Sequence, residues 1–268
     1  WGCYSFTPGA DEDQYLFNNL NFTANGSFDF ANQPAIAATS TAGNPVITDT
    51  LTIRGAEPGL TTITKTLPPE SANNVVVPAT NPFNAGDIVV LTNCFAANIF
   101  QISAIGTSTD GPTISHGTGT GSPGNATDLI RSTTNNVFSA NSAALFKLQE
   151  VTYSIGVSGS GNGEPALFRN RNGTNDELLE GIENLQVMFG VDTDDDDAAN
   201  QYLEPGAVAV ADLPNVTAVR LWLVVRSERD FIVDAVQPYS INGNEVIPPD
   251  QRFRQVFSTT IALRNRAG

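Results

Sequence analysis

The chain has 268 residues, enough to bury a sizeable core in one large β domain or in two smaller ones. Its 13 basic side chains stand against 28 acidic ones, and the net charge of −15 excludes nucleic acid and anionic membrane surfaces, which are held by clustered Lys and Arg. Charged residues make up only 15% of the sequence while Gly, Ser, Thr and Asn abound, a composition of exported β proteins that predicts an extracellular address.

Residues 1–105 read as an N-terminal β region. Up to about residue 45 there is no sustained period, so irregular structure or short edge strands are expected, with one short helix over ADEDQYLFNNL after an acidic cap. The chain opens at Trp1 without an export signal, and no apolar run reaches the length that crosses a bilayer; a removed N-terminal segment is therefore expected. From Asn44 the segments PVITDTLTIRG, NNVVVPAT and AGDIVVLTNCFAANIFQISAIG are β-branched runs punctuated by Pro and Gly, which predict short strands. Cys3 and Cys94 are an even pair in an exported-looking chain, and one disulfide between them is expected, closing a loop of about ninety residues.

Residues 106–142 are rich in Gly, Ser, Thr and Asn and read as a long excursion between β regions. Gly119 to Gly124 satisfies G-x-G-x-x-G on paper, yet Pro123 and a polar segment follow where a dinucleotide site needs a helix. His116 is the single histidine, and with two cysteines expected to be oxidised it leaves too few zinc ligands; it is read as an exposed loop residue. Sequons begin at Asn21, Asn25, Asn125, Asn172 and Asn215, and they mark polar surface turns.

Residues 143–268 read as a second β region, packed with the first into one compact unit. ALFKLQEVTYSIGV and PALFRNRNG are predicted to pair as a hairpin across a Gly-rich turn. Leu185, Val187 and Phe189 alternate with Gln186 and Met188, and Val219, Leu221, Leu223 and Val225 recur at the same period of two within an almost continuously apolar run, as in a strand covered on both faces; these two strands are expected at the centre of a sheet. Phe257, Thr259, Ile261 and Leu263 mark one face of a last strand.

Between the two central strands, Asp192, Asp194, Asp195, Asp196 and Asp197 place five carboxylates in six positions. Like charges at this spacing repel unless solvent, salt or a cation screens them. Asp192, Asp194 and Asp196 occupy positions 1, 3 and 5 of a D-x-D-x-D array, the spacing with which one loop wraps oxygen ligands around Ca²⁺. Position 6 holds Asp197 instead of Gly, and position 12 holds Leu203 instead of Glu. A β-loop calcium site completed by Asn200, Glu204 or backbone carbonyls is the metal reading; a solvated acidic turn is the other. There is no G-x-S-x-G elbow, and no catalytic residue or organic cofactor is assigned.

Four stretches carry a family resemblance in the right order. They are Trp1-Gly2-Cys3, AGDIVVLTNCFAANIFQI, ELLEGIENLQVMFGVDTD, and VTAVRLWLVVRS with FSTTIALRNR. Together they resemble the globular part of the PilW family of type IV pilus minor pilins and, more distantly, the J-type minor pseudopilins of type II secretion. The resemblance implies a pilin-like fold, α+β at family level, whose N-terminal helix upstream of Trp1 anchors it in the membrane and later in the filament core. It implies a structural, non-enzymatic subunit that helps initiate or cap pilus assembly with other pilins and a tip adhesin. In the family the acidic loop reads D-x-D-x-D-G, so Asp197 is a departure. Two other readings stand beside this one: a helix-free subunit that self-assembles into an extracellular filament by strand addition, and a calcium-dependent surface-binding module.

Overall fold

The computed structural model describes residues 36–41, 48–69, 71–93, 96–118, 124, 125, 128, 130, 132 and 137–263. The first half carries β1 (Ile36–Thr41), β2 (Thr48–Ala56), β3 (Thr61–Thr62), β4 (Val75–Val76), β5 (Ile88–Thr92), β6 (Ala97–Gln101), β7 (Ala104–Ser108) and β8 (Gly111–Ser115). The second carries β9 (Ala144–Val157), β10 (Pro165–Arg171), β11 (Thr174–Glu180), β12 (Ile182–Val191), β13 (Gln201–Leu203), β14 (Val216–Arg226), β15 (Tyr239–Ile241), β16 (Asn244–Val246) and β17 (Arg254–Ala262). The described fold is mostly β and antiparallel, with short 3₁₀ turns at Pro205–Ala207 and Val210–Asn215. Cys3, Cys94 and the segment expected to form a short helix lie outside the described residues.

The described chain divides into two compact units. One gathers Arg54–Gln149, and the other gathers Ala35–Ile53 with Glu150–Gly268. The boundaries fall within β2 and within β9, so they do not coincide with the divisions read from composition at 105/106 and 142/143. Pairing between distant strands decides the grouping, and a composition profile does not register it.

In the first unit β5 pairs with β6 and with the start of β9, and β7 and β8 form a hairpin joined by β4. Ile63, Leu67, Val89, Leu91, Phe100, Ile114, Ile130, Phe138 and Leu145 fill its core. The Gly/Ser/Thr-rich stretch is therefore more than an excursion: the β7–β8 hairpin runs into it, and it sends Ile114, Ile130 and Phe138 inward. Two further expectations are corrected here. His116 is buried against Phe100, its Nε2 bonded to the Asn73 carbonyl oxygen at 3.0 Å. Asn125, read as marking a surface turn, is buried too; its side chain accepts from Gln101 N–H and donates to the Gln101 carbonyl, filling a gap in the backbone ladder.

In the second unit one sheet runs β1-β2-β9-β10-β11 and another runs β13-β12-β14-β17. The predicted β9–β10 hairpin is present, with Val157 opposite Pro165. Strands β12 and β14 are central, with Leu185 opposite Leu223, Val187 opposite Leu221 and Phe189 opposite Val219. The period of two puts all six on one face, where Ile36, Leu51, Tyr153 and Ile155 of the other sheet cover them. Burying each such side chain contributes about 1.5–3 kcal/mol before the cost of ordering it. β17 continues the same face, but the cover ends before it: Phe257 is 57% exposed and Ile261 48%.

Candidate functional site

Backbone direction explains how the acidic loop is set up. β12 leaves the sheet at Val191, where a bulge against β14 turns the chain, and Asp192 N–H is held by the Asn215 carbonyl at 2.9 Å. The loop then closes a hairpin in which Val191 pairs with Gln201 and Phe189 with Leu203. Gly190 makes that hairpin feasible. A Cβ there would stand 2.7 Å from Ala199 Cβ and 3.0 Å from both Ala218 Cβ and a Tyr202 ring carbon. The bare glycine lets the Tyr202 ring lie across β12 and receive the Arg220 guanidinium 3.7 Å from its centroid.

Asp192 organises the turn. It is only 6% exposed, and its carboxylate accepts three backbone N–H bonds, from Asp194 at 3.1 Å, Asp195 at 2.9 Å and Asp197 at 2.8 Å. Desolvation opposes its charge, but the loop's N–H groups outweigh it and hold the carboxyl below the usual range. Asp194 goes the other way: desolvation, then the charges of Asp196 and Asp192, push its carboxyl up. One carboxylate is thus stabilised by the backbone, while the charge of its neighbour is disfavoured by desolvation and then by the carboxylates beside it.

The structure brings Asp192, Asp194 and Asp196 together, with one oxygen of each within 4.8 Å of the others. Two oxygens bound to one Ca²⁺ lie at most about 5 Å apart, so the three side chains fit around a single cation. Asn200 stands beside the cluster, its side chain hydrogen-bonded to Asp194, whereas Glu204 does not. Asn200 Oδ1 accepts from Thr193 N–H at 3.1 Å and Thr193 Oγ1 at 2.9 Å, so it braces the loop. Glu204 lies beyond β13, where its charge acts on Asp49.

Asp49 is a residue that motif reasoning passed over. It is 3% exposed on β2 and accepts from Ser40 Oγ and from the Val187 N–H, both at 2.7 Å. Beside it, Thr48 Oγ1 donates to the Leu185 carbonyl and accepts from the Leu185 N–H. Because β13 covers β12 only from Phe189 onward, these two side chains occupy the otherwise open edge of β12. Burial pushes the Asp49 carboxyl up despite its two donors. The signal was its parity with Leu51: a charged residue on the apolar face of a predicted strand.

At the opposite end of the sheet, Arg226, Arg252 and Arg254 interlock with Glu164, Glu183 and Asp250. Arg226 reaches Glu164 at 2.8 Å, Arg252 reaches Glu164 at 3.0 Å, and Arg254 reaches Glu183 and Asp250 at 2.5 Å each. This clasp ties the long segment between β14 and β17 back onto the sheet. The hydrogen bond from Arg254 holds the Asp250 carboxyl low, while burial and Glu183 push the Tyr239 hydroxyl up to about 12.

Compared with known proteins, residues 152–265 match the family model described as Type IV Pilus-assembly protein W. No curated protein and no solved structure matches the chain. The matched region takes in the acidic loop, the β13-β12-β14-β17 sheet and the arginine clasp.

Proposed function

We propose, from the match of residues 152–265 to the family model described as Type IV Pilus-assembly protein W, that the protein is a structural, non-enzymatic subunit that helps initiate or cap the pilus. The family match over that region is the observation that carries the reading. On it, the protein works at the cell surface, and its partners are other pilins or minor pilins and a tip adhesin. The covered β12–β14 pair supplies a rigid platform, and loops at the sheet ends present the contact surface. The reading is tested by deleting the gene in its host and counting surface pili by electron microscopy. Loss of pili restored by the intact gene supports the assembly role; unchanged pili overturn it. Enrichment of the tagged protein at filament ends would support capping, whereas uniform labelling along the shaft would overturn it.

The acidic loop is assigned a Ca²⁺ role, favoured by the convergence of Asp192, Asp194 and Asp196. The cation would be held by these three carboxylates and would offset the desolvation, and then the neighbouring charges, that push the Asp194 carboxyl up. With Asn200 Oδ1 already accepting from Thr193 and Glu204 acting on Asp49, few protein oxygens besides the three carboxylates are at hand, so the affinity belongs with extracellular modules, about 10⁻⁴ to 10⁻³ M. Millimolar calcium should raise the Tm of the wild type and leave Asp194→Ala unmoved. Equal responses, or none in either, would mark a solvated acidic turn.

A further inference from the structure

We propose that the outer edge of β17 is a homodimer interface at which a second copy of this chain adds its own β17, antiparallel, about a two-fold axis at Ser258. The inference stands on the sheet geometry and is independent of the pilus reading.

The ladder parity fixes which groups are available. Ser227 N–H donates to the Phe253 carbonyl at one end of the β14–β17 pair, and Leu263 N–H donates to the Thr217 carbonyl at the other. Directly opposed residues in an antiparallel pair alternate between bonded and non-bonded. The odd-numbered residues of β17 therefore face β14, and Arg254, Val256, Ser258, Thr260 and Ala262 turn their N–H and C=O groups outward. Among the described residues no strand pairs with that side.

Edges of this length are ordinarily guarded by charge, proline or a bulge. From Gln255 to Leu263 there is no charged residue and no proline, and the register against β14 runs unbroken. Arg254 is itself neutralised by Glu183 and Asp250, with its side chain 3% exposed. Two other exposed edges of this unit are guarded against a like copy. β12 is plugged by Thr48 and Asp49, and β11 carries Asp176, Glu177 and Glu180, which would meet the same three carboxylates.

The self-pairing register is complementary. With Ser258 opposite its mate, Val256 meets Thr260 and Arg254 meets Ala262, so outward groups meet only outward groups and about ten ladder hydrogen bonds form. Phe257 lies opposite Thr259 and diagonal to the second Phe257, and the exposed Ile261 lies opposite Gln255. No like charges face each other. The net charge of −15 on each chain opposes the approach, so pairing strengthens as salt screens it. A two-fold contact closes on itself, and it yields a dimer and not a filament.

Sedimentation of the intact chain up to half-millimolar, at about 0.05 to 0.5 M salt, tests this. The wild type should show a monomer–dimer equilibrium shifted to dimer by salt. Ser258→Lys places two ammonium groups across the axis, and Thr260→Pro removes an outward N–H that makes no bond to β14; each should abolish the dimer while keeping the wild-type circular dichroism melt. Mixing Ser258→Lys with Ser258→Glu should restore a heterodimer, which a merely misfolded edge could not do. A wild type that stays monomeric throughout, variants that dimerise like the wild type, or a mixture that stays monomeric would each overturn the proposal. Should Thr260→Pro fail to fold, the Ser258 pair decides alone.

Discussion

Asp197 holds a backbone angle that suits glycine, with φ +64°, and Asp195 does nearly the same at +59°. A side chain in this left-handed region costs about 1–2 kcal/mol for most residues and less for Asp, whose short carboxylate tolerates it. Where the D-x-D-x-D-G pattern has glycine, Asp197 takes the left-handed angle itself, and its N–H bonds Asp192 whatever the side chain. Asp197→Gly should therefore stabilise the loop by up to about 1 kcal/mol, after the entropy that glycine loses, and lift the Tm by a few degrees at low salt. Asp197→Ala keeps the strain and loses the adaptable carboxylate, so it should lower the Tm. If the two variants melt alike, charge alone is at work and the left-handed turn is not a source of strain.

Strand β12 has two neighbours in its sheet, but β13 covers only its last three residues, and the exposed ladder from Leu185 to Val187 is completed by side chains. Removing the Asp49 carboxylate leaves the Val187 N–H buried without a partner, which costs about 1–3 kcal/mol. Asp49→Ala should accordingly lower urea resistance by that amount, and Asp49→Asn, which keeps one acceptor oxygen, by distinctly less. Equal losses would show that packing, and not edge capping, is the residue's contribution. The pH dependence has a definite sign. Since burial raises the folded carboxyl above its ordinary value near 3.8, the ionised form weakens the fold, and protonation returns that stability as pH falls through the raised value. The strands themselves were legible: the alternation at Leu185–Phe189 and Val219–Val225 reports a covered face directly. The partner of that edge was not, because Asp49 and Val187 are 138 residues apart and no local pattern encodes such a contact. The exposure of Phe257 was equally hidden. Periodicity says which residues share a face, and says nothing of where the opposing sheet stops.

At the scale of the whole chain, 28 acidic groups compete for 13 basic ones, yet three arginines are committed to one clasp at the end of a single sheet. Scattered over an acidic surface, those cations would each gain little, since exposed pairs are worth about 0–1 kcal/mol. Concentrated and half-buried, they fix the long segment between β14 and β17 and keep Glu164, Glu183 and Asp250 from facing one another unpaired. Composition showed the scarcity of cations; only the fold shows where they are used. Arg254 is the centre of the clasp, so Arg254→Met should cost about 3 kcal/mol at neutral pH, the lower end for breaking a buried pair, because Asp250 keeps some access to water. The hydrogen bond from Arg254 holds Asp250 below its ordinary carboxyl value, so the stability from this pairing is present above about pH 3.8 and is lost as pH falls through the lower folded value. Urea unfolding at pH 7 and near pH 3 should then show a large gap between wild type and variant at the first and a reduced gap at the second. A gap of the same size at both would mean that Arg254 acts through the packing of its aliphatic stem, and the clasp would be no electrostatic device.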